Sequence, residues 1–161
     1  MKLDVLKESE PWYADGLAFS CTQCGNCCTG PPGYVWISDV EIDRLAEYLK
    51  LPRAEVIKRH VKKVGGGLSL KERRNVRGQH DCVFLETRTD AQGRVTTRTC
   101  TVYPVRPMQC RTWPFWEGNL SSPEAWEAGR TRCPGMGRGS KRDRGTIEHI
   151  RDAKDWDELP G

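Results

Sequence analysis

Residues 21–28 read Cys21-Thr22-Gln23-Cys24-Gly25-Asn26-Cys27-Cys28 and place four of the chain's 8 cysteines in one short stretch. Thiols this crowded cannot all be buried as ordinary apolar side chains, and adjacent Cys27 and Cys28 are poorly placed to bond to each other. Metal ligation explains them economically. A Cys-x-x-Cys step leaves a loop just wide enough for two sulfurs to meet one ion or cluster, and Gly25 permits the tight backbone turn. Consecutive side chains tend to diverge, so Cys27 and Cys28 are expected to serve different metal sites or to bridge two metals.

Cys21-x-x-Cys24-x-x-Cys27 has the spacing of three ligands to a [4Fe–4S] cluster, whose fourth cysteine comes from elsewhere and is often followed by proline. Cys133-Pro134 has that form. Cys28, Cys82, Cys100 and Cys110 remain as a second tetrathiolate set. Thiolates suit zinc equally, so spacing alone leaves open a zinc site whose only work is to hold the fold. A redox dithiol at one Cys-x-x-Cys is a third reading.

Other residues near the thiols could tune them. Arg106 and Arg111 flank Cys110, where a guanidinium would lower thiol pKa values, hydrogen-bond sulfur or bind an anionic substrate. Both also suit structural ion pairs. Tyr103, Trp113, Phe115 and Trp116 could wall the centre from water, or simply form local core. His80, two residues before Cys82, is the best histidine candidate for a ligand, against the simpler reading of a surface histidine.

The elements that must position these groups are read from periodicity and breakers. Residues 1–20 suggest an irregular or extended arm. Gly30-Pro31-Pro32-Gly33 is a rigid turn before the strand-like run Tyr34–Ile37. A capping box, Ser38 with Glu41, opens a helix carrying Ile42, Leu45, Ala46 and Leu49 on one face. Pro52 opens a second helix over 52–64, which Gly65-Gly66-Gly67 stops. Residues 68–70 form a weak strand. Cys82–Leu85 and Arg94–Cys100 flank a turn at Asp90–Gly93 and read as a β-hairpin with Cys82 and Cys100 at its open end. Ser122-Pro123-Glu124 starts a helix with Trp126 on its face. Residues 137–161 are charged, basic first and acidic last, with Trp156 as a possible anchor.

These elements predict an α+β fold: a small, irregular single domain with two helices in its N-terminal half and a β-hairpin, organised around a cysteine-ligated metal centre. The expected divisions are an N-terminal arm (1–18), the cysteine-cluster domain (19–136) and a charged C-terminal tail (137–161). With 37% hydrophobic residues, only 3 Phe and 3 Met, the core is thin, and bound metal can supply folding free energy.

No signal peptide or membrane-length apolar run is visible, which points to a cytoplasmic protein with reduced thiols and no membrane association. Basic side chains crowd 58–77, but the formal +4 charge would be offset by metal-bound thiolates, so nucleic acid is an unfavoured partner. A redox partner protein is the expected one.

The combination Cys21-x-x-Cys24-Gly25-x-Cys27-Cys28, Cys82-x-Phe84-Leu85 and Cys100-x-x-Tyr103-x-x-Arg106-Pro107-x-x-Cys110-Arg111-x-Trp113-Pro114 closely resembles the CxxCxxCC (YkgJ-type) cysteine-cluster family over residues 19–135. Proteins of that family are described as zinc- or iron-chelating, or as containing an iron–sulfur cluster. A related cysteine pattern occurs in flagellin lysine N-methylases, but no G-x-G-x-x-G motif accompanies it here. The resemblance implies that Cys21, Cys24, Cys27, Cys28, Cys82, Cys100, Cys110 and Cys133 are ligands, with Arg106 and Arg111 beside them. The expected function is a metal-binding protein holding an iron–sulfur cluster, [4Fe–4S] favoured over zinc, for electron transfer or another redox step. The alternative is a zinc-stabilised module that binds a protein or nucleic acid.

Overall fold

Two hydrophobic clusters, one on each side of the cysteine-bearing segments, divide the work of folding. The computed structural model describes residues 9–154 and 158–159. The first cluster is built on helices α1 (Asp39–Leu49) and α2 (Arg53–His60), the hairpin of β3 (Val61–Val64) and β4 (Gly67–Leu70), and the residues Phe84 and Val102. The second gathers Tyr13, Phe115, Leu120, Trp126, Met136, Ile147 and Ile150.

In the first cluster, the capping box forms as expected. Ser38 Oγ accepts from the Glu41 N–H, and Glu41 Oε2 accepts from the Ser38 N–H at 2.8 Å. Ile42 and Leu45, both fully buried, then carry the helix onto the core. Glu41 does a second job: its Oε1 accepts from the Met108 N–H at 2.6 Å. That contact ties α1 to the short helix α3 (Met108–Arg111), which presents Cys110.

The second helix is shorter than the apolar pattern implies. It ends at His60, and residues 61–64 are strand, because Val61 and Val64 are β-branched and suit a pleated pairing with Leu70 and Gly67. Gly65 and Gly66 are therefore a two-residue hairpin turn, with Gly65 at φ +56°, and do not cap a helix. The Tyr34–Ile37 run lies extended beside β4, where Leu70 N–H reaches Val35 O and Ile37 N–H reaches Leu68 O. Only one β-bridge, Trp36 to Ser69, results.

A three-stranded antiparallel sheet, β2 (Thr29–Gly30), β6 (His80–Cys82) and β5 (Glu72–Arg74), follows the cysteine loop with β6 in the centre. The expected hairpin is β7 (Leu85–Thr89) with β8 (Val95–Cys100), turning through Asp90–Gly93, where Asp90 Oδ1 accepts from the Gln92 and Arg94 N–H groups. Cys82 belongs to β6, one turn earlier, and not to the hairpin. It still lies near Cys100, because Leu85 pairs with Cys100 in register.

The second cluster is assembled from both ends of the chain. β1 (Leu17–Phe19) pairs antiparallel with β9 (Met136–Arg142), so the divisions drawn at 18 and 136 both fall at or within strands. Gly139, at φ +76°, lies so close to Ser20 that a Cβ would sit 2.4 Å from Ser20 Cβ. This approach delivers the chain to Cys21. Helices α4 (Glu117–Leu120), α5 (Pro123–Arg132) and α6 (Arg144–Asp152) complete the layer. Ser122 caps α5 and Trp126 is buried, as the sequence predicts. Asp143 caps α6, which buries Ile147 and Ile150. Trp156 lies outside the described residues. Among the described residues no helix is long and apolar enough to cross a membrane.

Candidate metal centre

The eight cysteines, four from residues 21–28 and four from distant segments, all line one cavity. Cys21 and Cys24 come from the loop after β1, and Cys27 and Cys28 from a 3₁₀ turn over Asn26–Cys28. Cys82 ends β6, Cys100 ends β8, Cys110 lies in α3, and Cys133 caps the C-terminus of α5. Cys82 and Cys100 pack on the first hydrophobic cluster and Cys133 on the second, so the cavity sits where the two meet. All eight are free thiols.

Local chemistry explains the loop's shape. Gly25 stands at φ +73° at the head of the 3₁₀ turn, and a Cβ there would lie 2.8 Å from Arg98 Cβ. Only glycine meets both demands. After the turn, β2 pairs with β6, Thr29 opposite Asp81 and Gly30 opposite His80. Continuing that register by one residue lays Cys28 across from Cys82.

Cys27 and Cys28 do not diverge. Their Sγ atoms are 3.9 Å apart. Two thiolates on one tetrahedral ion with metal–sulfur bonds of about 2.3 Å would be about 3.8 Å apart, so the separation fits a shared ion and equally fits two thiols in contact that serve neighbouring sites. The tight 3₁₀ turn brings both side chains to the same cavity wall.

The thiols perturb one another strongly. Cys27 is lowered to about 6, first by its hydrogen bond with Cys28, with Arg132 and Arg106 assisting against the cost of burial. Cys28 is pushed upward by the same pairing and by burial. Burial also raises Cys82 to about 11, and raises Cys100 and, most of all, Cys110. Burial that disfavours the anions of Cys28, Cys82, Cys100 and Cys110 in one cavity suits a positive guest, since a coordinating metal deprotonates its thiols outright. Soft sulfur donors of this number fit zinc and iron–sulfur centres. Among the described residues no three such donors yet converge as a finished ion site; the thiols line the cavity wall.

Of the two arginines singled out by sequence, only Arg106 joins that wall. Its guanidinium lies over the Tyr103 ring at 3.9 Å and donates to Tyr103 O at 2.8 Å. Arg111 lies off the wall, its pKa lowered by burial and by Arg106 and Arg44. Tyr103 lines the cavity, where burial first and then the neighbouring Cys21 raise its pKa. Trp113 lines it as well, and its buried Nε1 has no partner. Phe115 belongs to the second cluster, and Trp116 donates to Gln109 O and Thr112 Oγ1.

Arg132 was not singled out. It lines the cavity and clamps the cysteine loop, donating from Nε to Asn26 O at 3.1 Å and from Nη2 to Thr29 O at 2.7 Å. Its one sequence signal was adjacency to Cys133. A second, more polar cavity lies behind the thiol wall, sharing Cys27, Cys28, Cys82 and Cys110 with the first and adding Glu72 and His80.

Residues 20–134 match the CxxCxxCC family, described as a "putative zinc- or iron-chelating domain". The chain belongs to that family. It is 34% identical over 103 residues to the uncharacterized protein MJ0661 of Methanocaldococcus jannaschii, a match covering 64% of this chain and 48% of that protein. The chain thus spans about half the length of that relative. No solved structure matches it.

Proposed function

We propose that the eight-cysteine cavity holds an iron–sulfur centre and passes electrons to or from a partner protein. The observation that carries this reading is that all eight thiols line one cavity, with Cys21 and Cys27 exposed. When bound, the cluster supplies a one-electron redox centre near the surface. The chain's own residues set its surroundings. Leu70, Phe84 and Val102 give the cavity an apolar lining. Arg106 and Arg132 act on Cys27 and favour the more negative, reduced form, which raises the potential. The buried Trp113 N–H is available to a sulfur.

A zinc-stabilised binding module is the second reading, and two observations favour it. The 3.9 Å Cys27–Cys28 separation suits a single tetrahedral ion. Tyr34 and Trp36 form an exposed aromatic pair, ring centroids 5.3 Å apart, with Lys62 Nζ 5.1 Å from the Tyr34 centroid. Such a pair can hold a partner.

Anaerobic purification followed by metal and sulfide analysis separates the two. Iron with acid-labile sulfide, and a visible absorbance near 400 nm that dithionite bleaches, is the expected result. A colourless chain carrying zinc alone overturns the electron-transfer reading. Cys133→Ser then tests the ferredoxin-like grouping of Cys21, Cys24, Cys27 and Cys133: unchanged iron and an unchanged spectrum remove Cys133 from it.

A further inference from the structure

We infer that His80 is a metal ligand, completing with Cys28, Cys82 and Cys110 a mixed sulfur–nitrogen site on the wall between the two cavities. The inference rests on the proposal that the thiols bind metal and deepens it by adding a nitrogen donor.

Strand geometry supplies the first support. His80 and Cys82 are two residues apart in β6, so their side chains leave the same face. Asp81, between them, points the other way, where its carboxylate accepts from Thr29 Oγ1 at 2.6 Å and Asn75 Nδ2 at 2.9 Å. Across the ladder His80 faces Gly30, where the Arg132 guanidinium lies 3.3 Å from the position a Cβ would take.

Proximity supplies the second. Cys28 stands across from Cys82 when the β2–β6 register is continued by one residue, and Cys110 of α3 joins them. All three line the cavity that His80 also lines. Three thiolates and one imidazole are an established tetrahedral donor set.

The third support is an unmet need. His80 Nδ1 is shielded from solvent and has no hydrogen-bond partner among the described residues. A buried polar atom left so is costly unless something fills the position. His60 Nδ1 is likewise unpartnered, but that ring lies 4.7 Å from Phe84 in the first hydrophobic cluster and faces no thiol cavity. Trp113 Nε1 borders the thiols but can only donate a proton; a neutral imidazole nitrogen can bind a metal.

The test is X-ray absorption at the zinc edge on the reduced full-length chain reconstituted with zinc alone, in wild type, His80→Cys and His80→Ala. The expected wild-type shell contains nitrogen at about 2.0–2.1 Å beside sulfur at about 2.3 Å. His80→Cys should retain the same zinc content with an all-sulfur shell, and His80→Ala should lose one equivalent of zinc. His80→Cys also serves as the folded control, since it restores a donor at the same place. An all-sulfur wild-type shell, or His80→Ala with undiminished zinc and an unchanged shell, overturns the inference while leaving metal binding by the thiols intact. A wild-type chain that takes up no metal overturns both.

Discussion

Arg132 and Asn26 hold each other twice: Arg132 Nε donates to Asn26 O at 3.1 Å, and Asn26 Nδ2 donates to Arg132 O at 3.0 Å. Through this reciprocal pair the end of α5, and with it Cys133, is fixed to the turn that carries Cys27 and Cys28. A third bond, from Arg132 Nη2 to Thr29 O, spreads the guanidinium over the loop.

Arg132→Ala should therefore weaken metal retention by about 10–100-fold, the range for loss of groups that orient ligands. Arg132→Lys should not rescue it, because one ammonium cannot reach two carbonyls with a planar fork. Competition against a chromophoric chelator measures the change. Equal affinity in Arg132→Ala would show that the clamp does not organise the loop.

His60 predicts a pH dependence of stability. Burial lowers its pKa, and Arg59 and Lys71 push the same way. The unfolded chain then takes up the proton first, so stability is complete above the unfolded value of about 6.5 and falls as pH drops toward the folded value. Denaturant midpoints for wild type and His60→Gln, taken from pH 8 to 5, should diverge below about pH 6.5, with the variant showing the shallower decline. Parallel curves would contradict the assignment.

The legible parts of the fold were those written in local chemistry. The capping box at Ser38 and Glu41, the Asp90–Gly93 turn and the Ser122 cap are short-range signals that tertiary packing had no cause to override. The run 52–64 misled because Val56, Ile57, Val61 and Val64 fit a helical face, while the two-residue glycine turn that pairs Val64 with Gly67 depends on a hairpin partner. Strand β9 was not readable from Met136-Gly137-Arg138-Gly139-Ser140-Lys141-Arg142, which has no apolar alternation. Gly139 serves close approach to Ser20 while Gly137 lies against the Arg130 side chain, and the strand's pairing partner lies at the far end of the chain. The cysteines themselves were legible by type, whereas the clamp by Arg132 and the convergence of Cys27 with Cys28 exist only once the loop has folded.

Gly25→Ala should damage the centre without touching a thiol. The left-handed backbone at φ +73° and the approach of Arg98 Cβ to 2.8 Å from a new Cβ act together. A non-glycine residue held there costs about 1–3 kcal/mol. The loss should register as a lower denaturant midpoint and as reduced metal content after purification. Arg98→Ala should not repair it, because the Arg98 Cβ remains and the backbone conformation is unchanged. Full recovery in the double variant would show that side-chain crowding alone demands glycine.

Metal removal should unfold the chain and not merely empty a cavity. Each hydrophobic cluster buries only a handful of residues, and the cavity lies where Cys82 and Cys100 on one side approach Cys133 on the other. Without a positive guest, the junction holds thiols that burial drives away from their anionic form. Neither cluster alone matches the core of a stable small domain, so binding free energy is folding free energy. Stripping with a chelator under reducing conditions should abolish the near-ultraviolet signal of the buried Trp126 environment and remove amide protection from α1 and α6 alike. Adding metal back should restore both together. Retention of protection in α1 after stripping would show instead that the first cluster folds by itself and that the metal only fastens the second to it.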